Sequence, residues 1–447
     1  MRAAGEPQPM PATAPNGNTS KRSPSASRPS TSREAAGTDE TRYAAWYFAG
    51  IASFMAPAGI QAVLLPHLLA IELQQPAERF GATQMLGQLP LLGLLLFGGL
   101  AADRIDPRRL LMGLQLAAML APLALALAIT LGQVGEGIVL LYAIAWGAVS
   151  AFAMPARDGL LNRVAGAAVQ RTVTRAMAVQ FGGQILGYAI GGFTDRTGVV
   201  AVLLVQCLVL GLGLLAAQRL PRGEAAGDQR PPGAGSSAVP PERWWRALGG
   251  GLALLFADPA MRGTFLLLTG LGVFFAGTFV VLMPLAVRDL YGGSAQDISI
   301  GFALFVLGTL TSIIMLMRRG GTTYPGRALV AVLYLGCIVL APIAFAPPIW
   351  GFYACLFLWG MGGGVAMTMA RTIMQERAPA SHRARAMAAF SLANAGGAPL
   401  GSLLMGMVVS AVGVQLAVLV PIIGVGVITT IVVLTHPMLG LRSQAAG

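Results

Sequence analysis

Apolar and polar positions alternate along this chain on a long scale. Extended apolar runs are separated by short charged turns. From Tyr43 onward, twelve runs reach spanning length, approximately 44–71, 82–102, 108–131, 134–156, 171–193, 197–217, 262–288, 294–317, 326–346, 349–371, 384–411 and 413–436. A helix needs about 20 apolar residues to cross the hydrocarbon of a bilayer. The expectation is therefore an all-α polytopic membrane protein with twelve transmembrane helices. An even count puts both termini on one side.

Two stretches break the rhythm. Residues 1–41 are rich in Pro, Ser, Thr, Ala and Gly and contain no apolar run. They lack a signal-peptide core and the hydrophobicity to fold alone, so a disordered N-terminal tail is expected. Near the midpoint, Gly, Pro, Ser and charged residues fill 222–241 as a flexible linker. Arg243-Trp244-Trp245-Arg246 then opens a semi-apolar stretch ending at Asp258-Pro259. Tandem Trp between Arg suits a helix lying in the membrane interface, or a loop with two anchoring aromatics. The expected organisation is tail 1–41, helical bundle 42–218, linker 219–261, helical bundle 262–437 and tail 438–447.

The two bundles read as copies of one another. At a fixed offset of 214, Arg157, Arg163 and Arg171 fall on Arg371, Arg377 and Arg385. At the same offset, Gly182, Gly183, Gly187 and Gly192 fall on Gly396, Gly397, Gly401 and Gly406, and Gln180 falls on Asn394. One ungapped offset over these positions predicts two pseudo-symmetric six-helix bundles. Gly183 and Gly187, with Gly397 and Gly401, place small residues four apart, which lets helix backbones approach closely.

Composition and charge set the class. The chain has 447 residues, 55% hydrophobic and 11% charged, with a net charge of +12. A soluble domain carries about 25% charged residues. Of the 30 basic residues all but Lys21 are Arg, and only Arg79, Arg196 and Arg288 fall at the ends opposite the termini. That bias is the positive-inside pattern, not the clustered basic face of a nucleic-acid binder. It predicts a multi-pass protein of the inner (cytoplasmic) membrane with both termini cytoplasmic. Cys207, Cys337 and Cys355 lie in separate apolar runs, with neither metal spacing nor a disulfide framework. There is no Gly-x-x-x-x-Gly-Lys-Ser/Thr loop, no His-Glu-x-x-His and no filter-like segment. An ATP-driven pump, a membrane protease and an ion channel are disfavoured. The chain is expected to be no enzyme and to need no cofactor or metal.

The turn between the second and third runs reads Gly98-Gly99-Leu100-Ala101-Ala102-Asp103-Arg104-Ile105-Asp106-Pro107-Arg108-Arg109. This Gly-x-Leu-x-x-Asp-Arg order followed by Arg-Arg resembles the signature loop between helices 2 and 3 of the major facilitator superfamily. Asp106 and Pro107 depart from the usual pattern, and the second-half copy is degraded, with Met317 at the position of Asp103. The superfamily's halves are parallel repeats about an axis along the membrane normal, as the 214-residue offset requires. The resemblance implies alternating access, with Gly99, Asp103, Arg104, Arg108 and Asp158 as gating residues at the cytoplasmic face. Met154-Pro155-Ala156-Arg157 with Leu160-Leu161-Asn162-Arg163, together with Pro90, resembles the enterobactin-exporter and macrolide-efflux-like branch. That branch implies export of an amphiphilic drug- or siderophore-like molecule driven by proton exchange; a monomer is expected. Helix 5 lacks the Gly-Pro pair of the antiporter motif, whereas helix 11 has Pro399. An uptake facilitator or symporter of a neutral metabolite, or a non-transporting sensor, stays open as an alternative.

By the same resemblance, helices 1, 4, 7 and 10 line a central cavity. Its candidates are Gln61 and His67, Trp146 and Ser150, Phe275 and Thr278, and Trp359 and Thr368. Gln180 and Gln184 join them from helix 5, and Asn394 from helix 11. Helix–helix hydrogen bonding is the plainer role for each carboxamide. No carboxylate falls near a bilayer midplane: Glu72, Asp289 and Asp297 sit at outer ends, Asp158 and Glu376 at inner ends. His67 is the ionisable group well inside the first run, a candidate proton carrier or a packed side chain. The even span count is checked by reporters fused after Gly447 and inserted at Ile105. Both should report the same face of the membrane, and opposite faces would overturn the topology.

Overall fold

The computed structural model describes residues 31–165, 169–220, 256, 258–379 and 383–442. Twelve helices cover the twelve apolar runs. In the first half they are α1 (Thr31–His67), α2 (Ala77–Arg104), α3 (Pro107–Thr130), α4 (Glu136–Ala165), α5 (Val169–Gly191) and α6 (Val199–Gln218). In the second half they are α7 (Pro259–Tyr291), α8 (Ala295–Arg318), α9 (Pro325–Leu340), α10 (Ile349–Arg377), α11 (Arg383–Ala417) and α12 (Leu419–Thr435). Among the described residues, nine helices are individually long and apolar enough to cross a membrane. The molecule is a polytopic membrane protein. In hydrocarbon no water satisfies the backbone, so each span must be a helix that closes its own hydrogen bonds.

α1 is described from Thr31 onward, so residues 31–41 of the expected tail are helical. Residues 31–42 contain no Pro, and Arg33, Glu34, Ala35 and Ala36 among them favour helix. Residues 1–30, and the stretch 243–255 read as an interfacial helix, lie outside the described residues.

Packing repeats between the halves. α1 lies on α5, α2 on α4 and α3 on α6; α7 lies on α11, α8 on α10 and α9 on α12. Backbones meet at glycines along these seams. A methyl group added at Gly187 would stand 2.8 Å from the Cα of Gly59 in α1, and one at Gly401 would stand 3.1 Å from the Cα of Gly277 in α7. At Gly183 it would lie 3.3 Å from Met55 Cβ, and at Gly397 2.6 Å from the amide of Val273. The turns that close the two halves also match: Gly198, before α6, has φ 83° and ψ 153°, and Gly413, between α11 and its continuation, has φ 77° and ψ 167°. Only glycine enters that region without steric cost.

Two helix starts use one device. Asp106 accepts a 3.0 Å hydrogen bond from the amide of Arg108, with Pro107 as the first helical residue. Asp258 accepts from the amides of Ala260 and Met261 at 2.7 and 3.2 Å, ahead of Pro259. Each pairs an N-cap acceptor with a Pro whose missing N–H costs nothing there. The residues that depart from the signature pattern therefore start α3. At the same end Arg262 Nε donates to His436 Nε2 at 2.9 Å, tying α7 to the end of α12. Burial and the Arg262 charge hold the His436 imidazole below its usual value, which keeps it an acceptor.

The halves join at the end away from the termini, called the far end here. α2 meets α11 where a methyl at Gly81 would sit 2.8 Å from Gly406 Cα, and α5 meets α8 where one at Gly192 would sit 2.8 Å from Ser299 Cβ. Six described hydrogen bonds cross between the halves. Arg196 and Asp195 bond Gln296, Ser299 donates to Tyr188 O, Arg288 to Gln75 O, Ser410 to Glu78 and Gln88 to Ser402. All lie at or toward the far end, Gln88–Ser402 being the deepest. The glycine seams carry a direct test. Gly401→Leu should lower the melting temperature of the solubilised protein by several degrees, because the added atoms have no room. Gly182→Ala, which meets nothing within 4 Å, should leave it unchanged or raise it. Equal effects at the two positions would remove close packing as the reason for the repeat.

Candidate functional site

Below the far-end contacts the halves part around two adjoining cavities. The first has a volume of about 390 Å³ and lies mainly in the second half. Its walls are Phe275, Phe279 and Val280 of α7, Phe305 and Thr309 of α8, and Trp359 and Thr368 of α10, with Phe181 and Asn394 from α5 and α11. The second, of about 220 Å³, is lined by Gln61, Gln84, Gln88, Trp146 and Ser150 of the first half, with Val280 and Phe302 reaching across. Val280 borders both. A cavity of a few hundred Å³ is of the size that takes a small molecule.

The two cavities differ in chemistry. In the first, aromatic rings interlock. Phe279 stacks on Phe305 with centroids 4.1 Å apart, and Trp359 sets its edge to Phe275, Phe279 and Phe305 at 5.5, 5.5 and 5.7 Å. Offset and edge-on rings are the favoured aromatic geometries. Its hydroxyls are already engaged: Thr309 donates to Phe305 O and Gly360 O, and Thr368 to Gly364 O. Phe275 rides on a π-turn, Leu271–Ala276, that interrupts α7 beside the α7–α11 glycine seam. Such turns recur at functional sites.

In the second cavity, carboxamides converge from α1 and α2. Gln84 is 6% exposed, and Gln84 and Gln88 stand four residues apart on one face of α2. Gln88 donates to Ser402 Oγ at 3.2 Å. Trp146 packs on Phe54 with centroids 5.7 Å apart, which fixes the wall opposite the carboxamides. Among the described residues, neither lining contains an ionisable side chain.

The sequence-derived site thus divides. Gln61, Trp146 and Ser150 line the carboxamide cavity; Phe275, Trp359, Thr368 and Asn394 line the aromatic one. Four others fall elsewhere. His67 is buried near the far end, its Nε2 3.4 Å from Glu72 and its Nδ1 3.7 Å from Asp195. Pro66 and the π-turn Leu68–Glu72 follow one another there, and the ring faces the turn after α5 instead of the cavity. Thr278 is fully buried and donates to Phe274 O within its own helix. Gln180 and Gln184 sit half-buried on α5, outside both linings; the Gln184 carbonyl is pressed against Gly59. Sequence reasoning missed Gln84, Gln88, Phe279 and Phe305. The i, i+4 glutamine pair inside an apolar run was a usable signal. At the turn after α2, Arg108 is half-buried. Gly99, Asp103, Arg104 and Asp158 lie on described helices, but their side chains lie outside the described residues.

Residues 46–343 match the profile of the Major Facilitator Superfamily, and residues 265–438 match it again. The chain belongs to the Major Facilitator Superfamily. It is a transporter by fold and family and not an enzyme. The second match, confined to the second half, accords with the internal repeat. Solved structures of superfamily fold resemble it over most of its length. The nucleoside transporter NupG is 15% identical with a TM-score of 0.70, covering 88% of this chain and 98% of that one. A POT family transporter in complex with 5-aminolevulinic acid is 13% identical, TM-score 0.68, covering 90% and 97%. A bacterial homolog of the human lysosomal transporter Spinster, inward-facing and unoccupied, is 12% identical, TM-score 0.65, covering 89% and 98%. No curated protein matches the sequence significantly. At these identities the likeness establishes the fold and leaves the cargo to the cavity.

Proposed function

We propose that this superfamily member exports an uncharged amphiphilic small molecule across the inner membrane by alternating access, in exchange for protons. The carrying observation is the two-part cavity. An aromatic box and a carboxamide pocket meet at Val280, and neither presents a charge. Ionic cargo entering such a site would lose its hydration without a counter-charge, at a cost of several kcal/mol. Two ends of unlike polarity suit a molecule of the same construction. Export and proton exchange rest on the resemblance of 154–163 to exporter sequences. The orientation, with termini and linker cytoplasmic, rests on the distribution of arginine.

In this reading the described bonds close the outer face and the cavity serves the cytoplasm. Asp103, with Gly99, Arg104, Arg108 and Asp158, belongs to the latch that shuts the cytoplasmic side in the other state. A carboxylate at a facing helix N-terminus would gain about 0.3–1 kcal/mol. The protein works as a monomer in the bilayer, and His67, 3.4 Å from Glu72 and 3.7 Å from Asp195 at the outer seal, is the candidate proton carrier.

Inside-out vesicles loaded with the protein and energised acid-inside should concentrate an uncharged aromatic amide from a screening panel. Loss of the same compound from the vesicles would reverse the assigned direction. Asp103→Ala should cut that flux several-fold at unchanged protein abundance, and undiminished flux would remove Asp103 from the mechanism. Glu78→Cys with Ser410→Cys, whose native side chains lie 2.8 Å apart, should be joined by a short thiol cross-linker. Joining them should stop transport, and reduction should restore it. Full transport in the cross-linked protein would show that the far end need not open.

A further inference from the structure

Resting on that reading, we infer that the cargo is held in one orientation and that its polar end is an uncharged group bearing a hydrogen-bond donor beside an acceptor, such as an amide, lactam or urea. Gln84 is the residue that selects it. The carboxamides of Gln61 and Gln84 border the second cavity, and neither makes a side-chain hydrogen bond among the described residues. Gln84 is 94% buried, being 6% exposed. Both carboxamides open into the cavity, where a complementary ligand can take the hydrogen bonds that no described protein group supplies. Each carboxamide offers two N–H donors and one carbonyl acceptor. A group with both functions can answer both; a carboxylate offers acceptors alone and brings a charge that nothing in the lining neutralises.

The other end of the cavity carries a single carboxamide among its described residues, Asn394 of α11, against Gln61, Gln84 and Gln88 in the second cavity. The Thr309 and Thr368 hydroxyl protons are engaged by backbone carbonyls, which leaves these groups as acceptors only, and the walls around Phe279, Phe305 and Trp359 are ring faces and edges. Val280 marks the junction, so the polar end of the cargo points to α1 and α2 and its flat apolar end to α7, α8 and α10. Selection by a hydrogen-bonding site is asymmetric. A ligand that leaves the buried amide unanswered is rejected far more strongly than one that merely fits the apolar pocket less well.

The test uses the full chain in lipid nanodiscs and three naphthalene probes that share a ring system: 2-naphthamide, 2-acetylnaphthalene and 2-naphthoate. Binding is read from quenching of tryptophan emission, against empty nanodiscs. The native protein should prefer the amide over the ketone and the carboxylate by about tenfold or more. Gln84→Met, close in volume to the native side chain, should bring the three within about threefold of one another. Phe279→Ala should weaken the amide and the ketone in equal proportion. If Gln84→Met does not fold, Gln61→Met must shrink the preference in the same sense. An amide preference untouched in the methionine variant that folds overturns the inference while leaving the amphiphile reading intact. Failure of the native protein to bind any of the three overturns both.

Discussion

Two helix backbones can touch only where neither presents a side chain, and this molecule depends on that contact. α1 meets α5 at Gly59 and Gly187, and α7 meets α11 at Gly277 and Gly401. In a bilayer the apolar effect does not press helices together, since lipid tails are as apolar as leucine. Close packing and hydrogen bonds must hold the bundle instead. Where the glycines run out along α5 and α11, the same small-residue logic continues between the halves, at Gly192 and Gly406. Seams without long side chains let one rigid body tilt against another without repacking many rotamers, which is the motion alternating access needs.

The cavity is what these seams leave over. Glycines draw α7 onto α11, and the π-turn at Leu271–Ala276 sits beside that contact with Phe275 on the cavity wall. Pairing α8 with α10 then brings Phe305 against Trp359. In the first half, drawing α2 onto α4 sets the glutamines of α2 opposite Trp146 and Ser150. The repeat therefore sets the frame of both pockets, while the residues that fill them differ. Symmetry of backbone with asymmetry of lining turns a repeated scaffold into a site with a polar end and an aromatic end.

Much of this was legible in the sequence. The twelve runs could be read because hydrocarbon imposes one length on every span. The glycines could be read because two copies share one offset. The cavity was legible only in part, for a physical reason. A helix facing lipid on one side and packed protein on the other is apolar all round, so periodicity does not say which face turns inward. Gln61, Trp146, Trp359 and Asn394 stood out as polar or aromatic residues on the expected helices and do line the cavities. Phe279 and Phe305 looked like ordinary apolar positions. His67 and Thr278 lay on the expected helices, but His67 lies too near the far end of α1, beside Glu72 and Asp195, and Thr278 follows the π-turn of α7. The closure at the far end is a state of the assembly, chosen by contacts such as Gln88 with Ser402 that no local pattern encodes.

The uncharged lining has a consequence for energy coupling. A proton and a cargo molecule exclude one another directly only when both need the same titratable group, and the walls around Val280 supply none. Among the described residues of the two linings there is no carboxylate for which proton and cargo could compete. In the proposed proton exchange, the ratio would then be enforced at a distance, through which arrangement of the halves each passenger favours. The tightness of coupling would be a property of the rocking equilibrium, and leak would rise with any change that lets the halves tilt while empty.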